Sequence, residues 1–399
     1  MAELLSSIEA QMSLLLFFSL TGYLVAARIN QSAVIGLILI GLVIGPSSLG
    51  WITATDFVQA IAHLGVIILL FVIGLEFKLK DIINVKYGII ALFGILVPWV
   101  AGYFLALAFG FNSNIAIFVG VALTATSIAI TANVLKEMGK LQTDVAKAII
   151  GAAVIDDILG LLALSISTQI ISNAFSILDV TTILIKAAGF LVIGAYAGHK
   201  FLSKLVVRVD KTKISQSYPE FVFIFAMMLA FLYATLAEVI GLSSIVGAFI
   251  AGVSLGSVSL KHGKDYKAGA EYLHIIFASV FFISLGILAD LKFLTPNTIV
   301  FITLLTVLGV ASKVIGCGIP ARLQGMSLKN SLIVGVGMVP RGEVAMIVAL
   351  IGLNQNIFGQ EIYVSLVLMS LLTTIIAPII LRNLFGKQEI SSYRYKLKK

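Results

Sequence analysis

The chain has 399 residues, of which 60% are hydrophobic and only 12% charged, and its mean hydropathy is +1.10. Soluble domains carry roughly one-quarter charged residues, so a soluble globular fold is excluded. The net charge of +8 does not point to nucleic acid, because the basic residues sit in the connections between apolar segments, where they act as a topology signal.

Taken in chain order, the segment Met1–Gln11 carries Glu3 and Glu9 and no Lys or Arg. It lacks the basic region and small-residue cleavage site of a removable signal peptide, which predicts that the first apolar helix is retained. Apolar stretches of roughly 20 residues follow one another, the length an α-helix needs to cross a hydrocarbon core. A membrane barrel would need alternating segments of about 10 residues instead. The pattern predicts an all-α membrane protein of about thirteen transmembrane helices, centred near residues 18, 41, 67, 98, 125, 159, 193, 229, 249, 280, 310, 340 and 372.

Alternate connections between these helices differ in charge. Arg28, Lys78, Lys80, Lys86, Lys136, Lys140, Lys147, the run from Lys200 to Lys213, Lys261, Lys264, Lys267, Arg322, Lys329 and the tail from Arg382 onward all fall on one side. The other side shows Lys292 and, at its interface, Lys186. The positive-inside rule then places the C-terminus in the cytoplasm and the N-terminus outside, as an odd helix number requires. The basic tail 387–399 reads as a lipid-surface contact rather than a nucleic-acid arm.

One membrane domain fills the chain, with no linker rich in Pro, Ser or charge. Gly41, Gly45 and Phe71 recur at a single offset as Gly252, Gly256 and Phe282. An echo displaced by seven helices places its two copies in opposite orientation, the internal architecture of many secondary transporters. Both copies carry Gly-x-x-x-Gly, as does Gly194–Gly198, a spacing that lets helices approach closely.

Two segments read as interrupted helices. Val121-Ala-Leu-Thr-Ala-Thr-Ser-Ile-Ala-Ile-Thr131 holds four hydroxyls in mid-span; ordinary back-bonding to the preceding turn is one reading for Thr124, Thr126 and Ser127, and Thr126 and Ser127 are the candidate ligands. Gly335-Val-Gly-Met-Val-Pro-Arg-Gly342 combines three glycines with a proline that cannot donate a backbone hydrogen bond. Unwound backbone at membrane depth is tolerated only where protein or a water cavity satisfies it.

Ionisable residues in mid-span cost about 2.5–3.5 kcal/mol each on insertion scales, so each is a functional candidate. They are Asp156 and Asp157 in Gly151-Ala-Ala-Val-Ile-Asp-Asp-Ile-Leu-Gly160, then Lys313, Arg341 and Glu343. Adjacent carboxylates on a helix point about 100° apart and can border one cavity. A small hard cation prefers oxygen ligands and can replace a proton on such a carboxylate, and that competition is the chemistry of exchange. Lys313 has two readings, a neutralising partner of Asp156 or a switch whose bridge couples proton loss to cation entry. Arg341 and Glu343 have three, pairing with each other, neutralising half-helix dipoles, or direct contact with the cation. Glu76 and Glu238 lie near helix ends, where solvation accounts for them, and His63 reads as a pH sensor or as a packed, hydrogen-bonded residue. Cys317, the only cysteine, forbids an internal disulfide. No His-Glu-x-x-His or comparable arrangement points to an enzyme.

These residues resemble the monovalent cation:proton antiporters of the Asp-Asp type, related to NapA and NhaA. The resemblance rests on Thr124-Ala-Thr-Ser127, the segment around Asp156-Asp157, Ser312-Lys-Val-Ile-Gly-Cys-Gly318 and Pro340-Arg-Gly-Glu343. It implies an NhaA-like fold of two six-helix inverted repeats joined by a linker helix, with two crossing discontinuous helices. It also implies a homodimer in the cell membrane. The dimer-forming part is expected at about 1–85 and 215–295, the linker at about 179–214 and the transport core at about 86–178 and 296–386. Asp157 is then the main cation and proton carboxylate and Asp156 the partner of Lys313. The implied activity is electrogenic sodium or lithium exchange for protons by an elevator-like movement, with no cofactor. Potassium effluxers of the Kef type differ by a Gln where this chain has Asp156; potassium exchange is the second reading and an ion channel the third.

Overall fold

The computed structural model describes residues 7–78, 84–171, 176–218, 220–256, 263–289 and 294–386. Glu3, Lys80, Lys261, Lys292 and the tail 387–399 lie outside the described residues, as do the side chains of Lys264, Lys267 and Glu343. Every regular element among the described residues is helical. Ten helices are long and apolar enough to cross a membrane and three apolar helices are shorter.

In chain order, leaving aside the single turn Lys213–Ser217, the helices are α1 (Ile8–Arg28), α2 (Ala33–Ile44), α3 (Asp56–Gly74), α4 (Val85–Ala108), α5 (Ser113–Thr124), α6 (Ile128–Glu137) and α7 (Asp144–Ile171). After α8 (Ile177–Asp210) come α9 (Glu220–Val239), α10 (Ser244–Gly256), α11 (Gly263–Ile287), α12 (Pro296–Leu323), α13 (Leu328–Gly337), α14 (Glu343–Asn354) and α15 (Gln360–Phe385). Counting α5 with α6 and α13 with α14 as single interrupted spans gives thirteen among the described residues, and each predicted centre falls inside one. Polar side chains cap several of the starts, satisfying N–H groups that have no partner within the helix. Asn112 accepts from the Ile115 N–H at the head of α5, and Thr295 with Thr298 forms a capping box before Pro296 at the head of α12.

Two compact units divide the chain. One comprises residues 1–54, 84–175 and 282–399, the other 55–83 and 176–281. In the first, α4 packs on α5, α7 and α12, while α12 also packs on α13 and α15. Its apolar core between α5, α12, α14 and α15 includes Phe118, Phe301, Leu305, Val348 and Met369. In the second, α10 packs on α3 and α9. Helix α8 contains two π-helical stretches, Phe190–Gly194 and Gly198–Leu202. The Tyr233 hydroxyl donates to the Gly194 carbonyl at 3.0 Å.

The recurring anchors make matched contacts. In the first unit Gly41 of α2 lies against the Ile283 carbonyl of α11 and Gly286 against the Ile38 carbonyl, with no room for a Cβ at either. In the second, Gly252 of α10 lies against the Phe71 carbonyl of α3 and Gly74 against the Phe249 carbonyl, again with no room. Small residues here bring helix backbones together where lipid offers no hydrophobic driving force between helices.

Candidate functional site

The two interrupted helices cross in the first unit. Helix α5 ends at Thr124, Ala125 is extended, and α6 starts after Ser127. Helix α13 ends at Gly337 and α14 starts at Glu343. The Ser127 N–H donates to the Pro340 carbonyl at 2.8 Å. The Thr126 hydroxyl reaches the Met338 carbonyl at 3.3 Å, and the Thr131 hydroxyl donates to the Gly337 carbonyl at 2.6 Å. Backbone groups freed by one break are thus satisfied by the other, as membrane depth demands. Gly342 permits the crossing, since a Cβ there would lie 2.8 Å from Ser127 Oγ. Thr124, by contrast, bonds its own turn through the Val121 carbonyl at 2.7 Å.

Arg341 closes the break from inside. Its Nε and Nη2 donate to the Leu123 carbonyl at 3.2 and 2.8 Å, Nη1 donates to Val339 at 3.0 Å and Nη2 to Gly309 at 3.0 Å. Leu123 lies in the last turn of α5 and Val339 just past α13, so one cation serves the carbonyls and negative dipole ends of two half-helices. Glu343 begins α14, but its side chain lies outside the described residues.

Asp156 and Asp157 sit in mid-α7 and Lys313 in mid-α12. Asp156 is 1% exposed, Asp157 8%, and Lys313 and Arg341 0%. Lys313 Nζ donates to Asp156 Oδ1 at 2.9 Å. The Thr126 hydroxyl is also within hydrogen-bonding range of Asp156, and Arg341 contributes an electrostatic attraction there. Mutual charge neutralisation permits such a pair at this depth, because an isolated ion would cost several kcal/mol. The Asp156 carboxylate, the Thr126 hydroxyl and the unwound Met338 carbonyl thus lie together at the crossing.

Sequence reasoning did not single out the supporting hydroxyls on α15. Ser370 and Thr374 both donate to the Arg341 carbonyl, each at 2.7 Å. The available signal was the run Ser365, Ser370, Thr373 and Thr374 inside an otherwise apolar span. Replacing both Ser370 and Thr374 with Ala should lower the stability of the purified protein by about 1–3 kcal/mol, because a buried carbonyl loses its partners. Thermal melting in detergent checks this, and an unchanged melting temperature would show that the carbonyl is satisfied otherwise.

Residues 14–387 match the family described as sodium/hydrogen exchanger, transmembrane. The chain is 34% identical over 366 residues to the Na(+)/H(+)-K(+) antiporter GerN of Bacillus cereus, covering 91% of this chain and 92% of that protein. It is also 34% identical over 372 residues to an Na(+)/H(+) antiporter of Enterococcus hirae, covering 92% and 96%. Among solved structures, the sodium proton antiporter MjNhaP1 of Methanocaldococcus jannaschii shares the fold, with a TM-score of 0.66 at 18% identity over 94% of this chain and 95% of that one. With crossed interrupted helices and a buried Asp–Lys pair set in such a scaffold, this multi-pass membrane protein belongs to the transmembrane sodium/hydrogen exchanger family, a family of transporters.

Proposed function

We propose that this protein is a secondary sodium(lithium)/proton antiporter in which proton entry drives sodium exit. The observation that carries the reading is the buried Lys313–Asp156 bridge at 2.9 Å, next in sequence to Asp157 and beside the crossing of two unwound segments. Asp157 takes either the cation or a proton. Cation entry displaces a proton from Asp157 and breaks the Lys313–Asp156 bridge, whose ammonium gives up the second proton; reprotonation of both groups on the opposite side of the membrane releases the cation. Lys313 neutralises Asp156 while the site holds no cation, so that making and breaking the bridge couples the two fluxes. Thr126 and Ser127 supply oxygens, and Arg341 holds the crossing rigid. The cycle breaks no covalent bond and calls for no cofactor.

The same reading includes a homodimer in the cell membrane, N-terminus outside and C-terminus in the cytoplasm. Its dimer-forming part is assigned to about 1–85 and 215–295, its linker to about 179–214 and its transport core to about 86–178 and 296–386. Exchange is electrogenic and proceeds by an elevator-like shift of the core. Potassium is the second candidate cargo, favoured by the name of GerN.

The test is exchange in proteoliposomes with an acid interior and a proton-sensitive dye. Addition of Na⁺ or Li⁺ should collapse the pH gradient; failure of Na⁺, Li⁺ and K⁺ alike would remove the antiport reading. Because protons and cation compete for one site, the sodium concentration for half-maximal exchange should rise as pH falls, by up to about tenfold per pH unit for one proton. A half-maximal concentration independent of pH would rule out competition.

A further inference from the structure

The Asp156–Lys313 pair joins α7 to α12, and a third helix lies against it. Gly94 of α4 faces the pair, and a Cβ there would lie 3.7 Å from both Asp156 Oδ1 and Lys313 Nζ, but only 2.6 Å from Cys317 Sγ. The contact is reciprocal, since a Cβ on Gly316 of α12 would lie 2.6 Å from the Phe93 carbonyl of α4 and 3.2 Å from Val97 Cβ. Helices α4 and α12 therefore interlock at the level of the ion pair, with the Cys317 thiol in the space a side chain at position 94 would need. Helix α4 packs on α7 as well. It is the template on which the carboxylate helix and the lysine helix are both seated.

We infer that Gly94 is a positioning residue for exchange, setting through its contact with Cys317 the placement of Lys313 against Asp156. A methyl group at position 94 must displace the thiol. Cys317 is fully buried, and few rotamers are open to it on a helix, because one of the three χ1 wells clashes with the preceding turn. The displacement is therefore passed to α12, and Lys313 lies one helical turn from Cys317. A charged hydrogen bond of 2.9 Å weakens when its partners separate by a fraction of an ångström.

The inference rests on the antiport reading, and a double-mutant cycle separates the two. Gly94→Ala, Cys317→Ala and the double variant are compared with wild type by sodium-driven proton exchange across pH and by melting temperature in detergent. Gly94→Ala in the wild-type background should lower exchange about tenfold and displace its pH profile by about one unit, as disturbance of a neighbouring charge does. In the Cys317→Ala background the same substitution should cost less than about twofold, with the profile restored, because the obstructing sulfur is gone. Cys317→Leu, which crowds the contact from the other side, should reproduce the loss if Gly94→Ala does not fold. Equal cost in both backgrounds, or Gly94→Ala with wild-type rate and profile, overturns the inference. Wild type that exchanges no cation for protons defeats the antiport reading instead, and the melting cycle, which needs no transport, then judges the contact: additive melting shifts overturn it.

Discussion

Asp157→Asn should abolish sodium-driven proton exchange while leaving the protein folded. The amide has nearly the shape of the carboxylate but neither carries a charge nor takes up a proton in the working pH range, so both halves of the competition vanish at once. Loss of a charged ligand worth about 3 kcal/mol implies at least a ~100-fold fall in exchange. Asp156 remains engaged with Lys313 at 2.9 Å, so the scaffold keeps its buried ion pair, and removal of one buried charge should leave the melting temperature equal or higher. Sodium should stabilise the wild type by an increment that grows with its concentration and should not stabilise the variant. Cation-driven proton movement retained in Asp157→Asn would take this carboxylate out of the mechanism.

Lys313→Ala should have the largest effect on stability. It leaves Asp156, 1% exposed, without its ammonium partner, and breaking a buried pair by removing one member costs about 3–5 kcal/mol. The penalty belongs to the unpaired negative charge, so acidification, which protonates the carboxylate, should recover part of the lost stability. The double variant Lys313→Ala with Asp156→Asn should recover most of it at neutral pH, since no charge is then left alone. Exchange in the single variant should show a displaced pH profile, because the bridge no longer competes for Asp156. A melting temperature equal to wild type at neutral pH, together with unchanged transport across pH, would reduce the bridge to a packing contact.

The helical spans, their number and the two interruptions are legible in the sequence because each depends on local chemistry. A run of about 20 apolar residues can satisfy its backbone in lipid only as a helix, and Pro340 between Gly337 and Gly342 breaks that helix wherever it is placed. The acidic doublet is legible for a similar reason, since charge in mid-span is too costly to be incidental. The partnerships are not. Lys313 and Asp156 are 157 positions apart, and the uniform Leu, Ile and Val faces around them encode no unique pairing of helices. Arg341 could as well have met a carboxylate; the tertiary structure instead sets it on the carbonyls of Leu123, Gly309 and Val339, because the ends of two half-helices converge there. The fit of Gly94 on Cys317, likewise, exists only once α4 and α12 have packed, for a missing side chain acquires meaning from what fills its place.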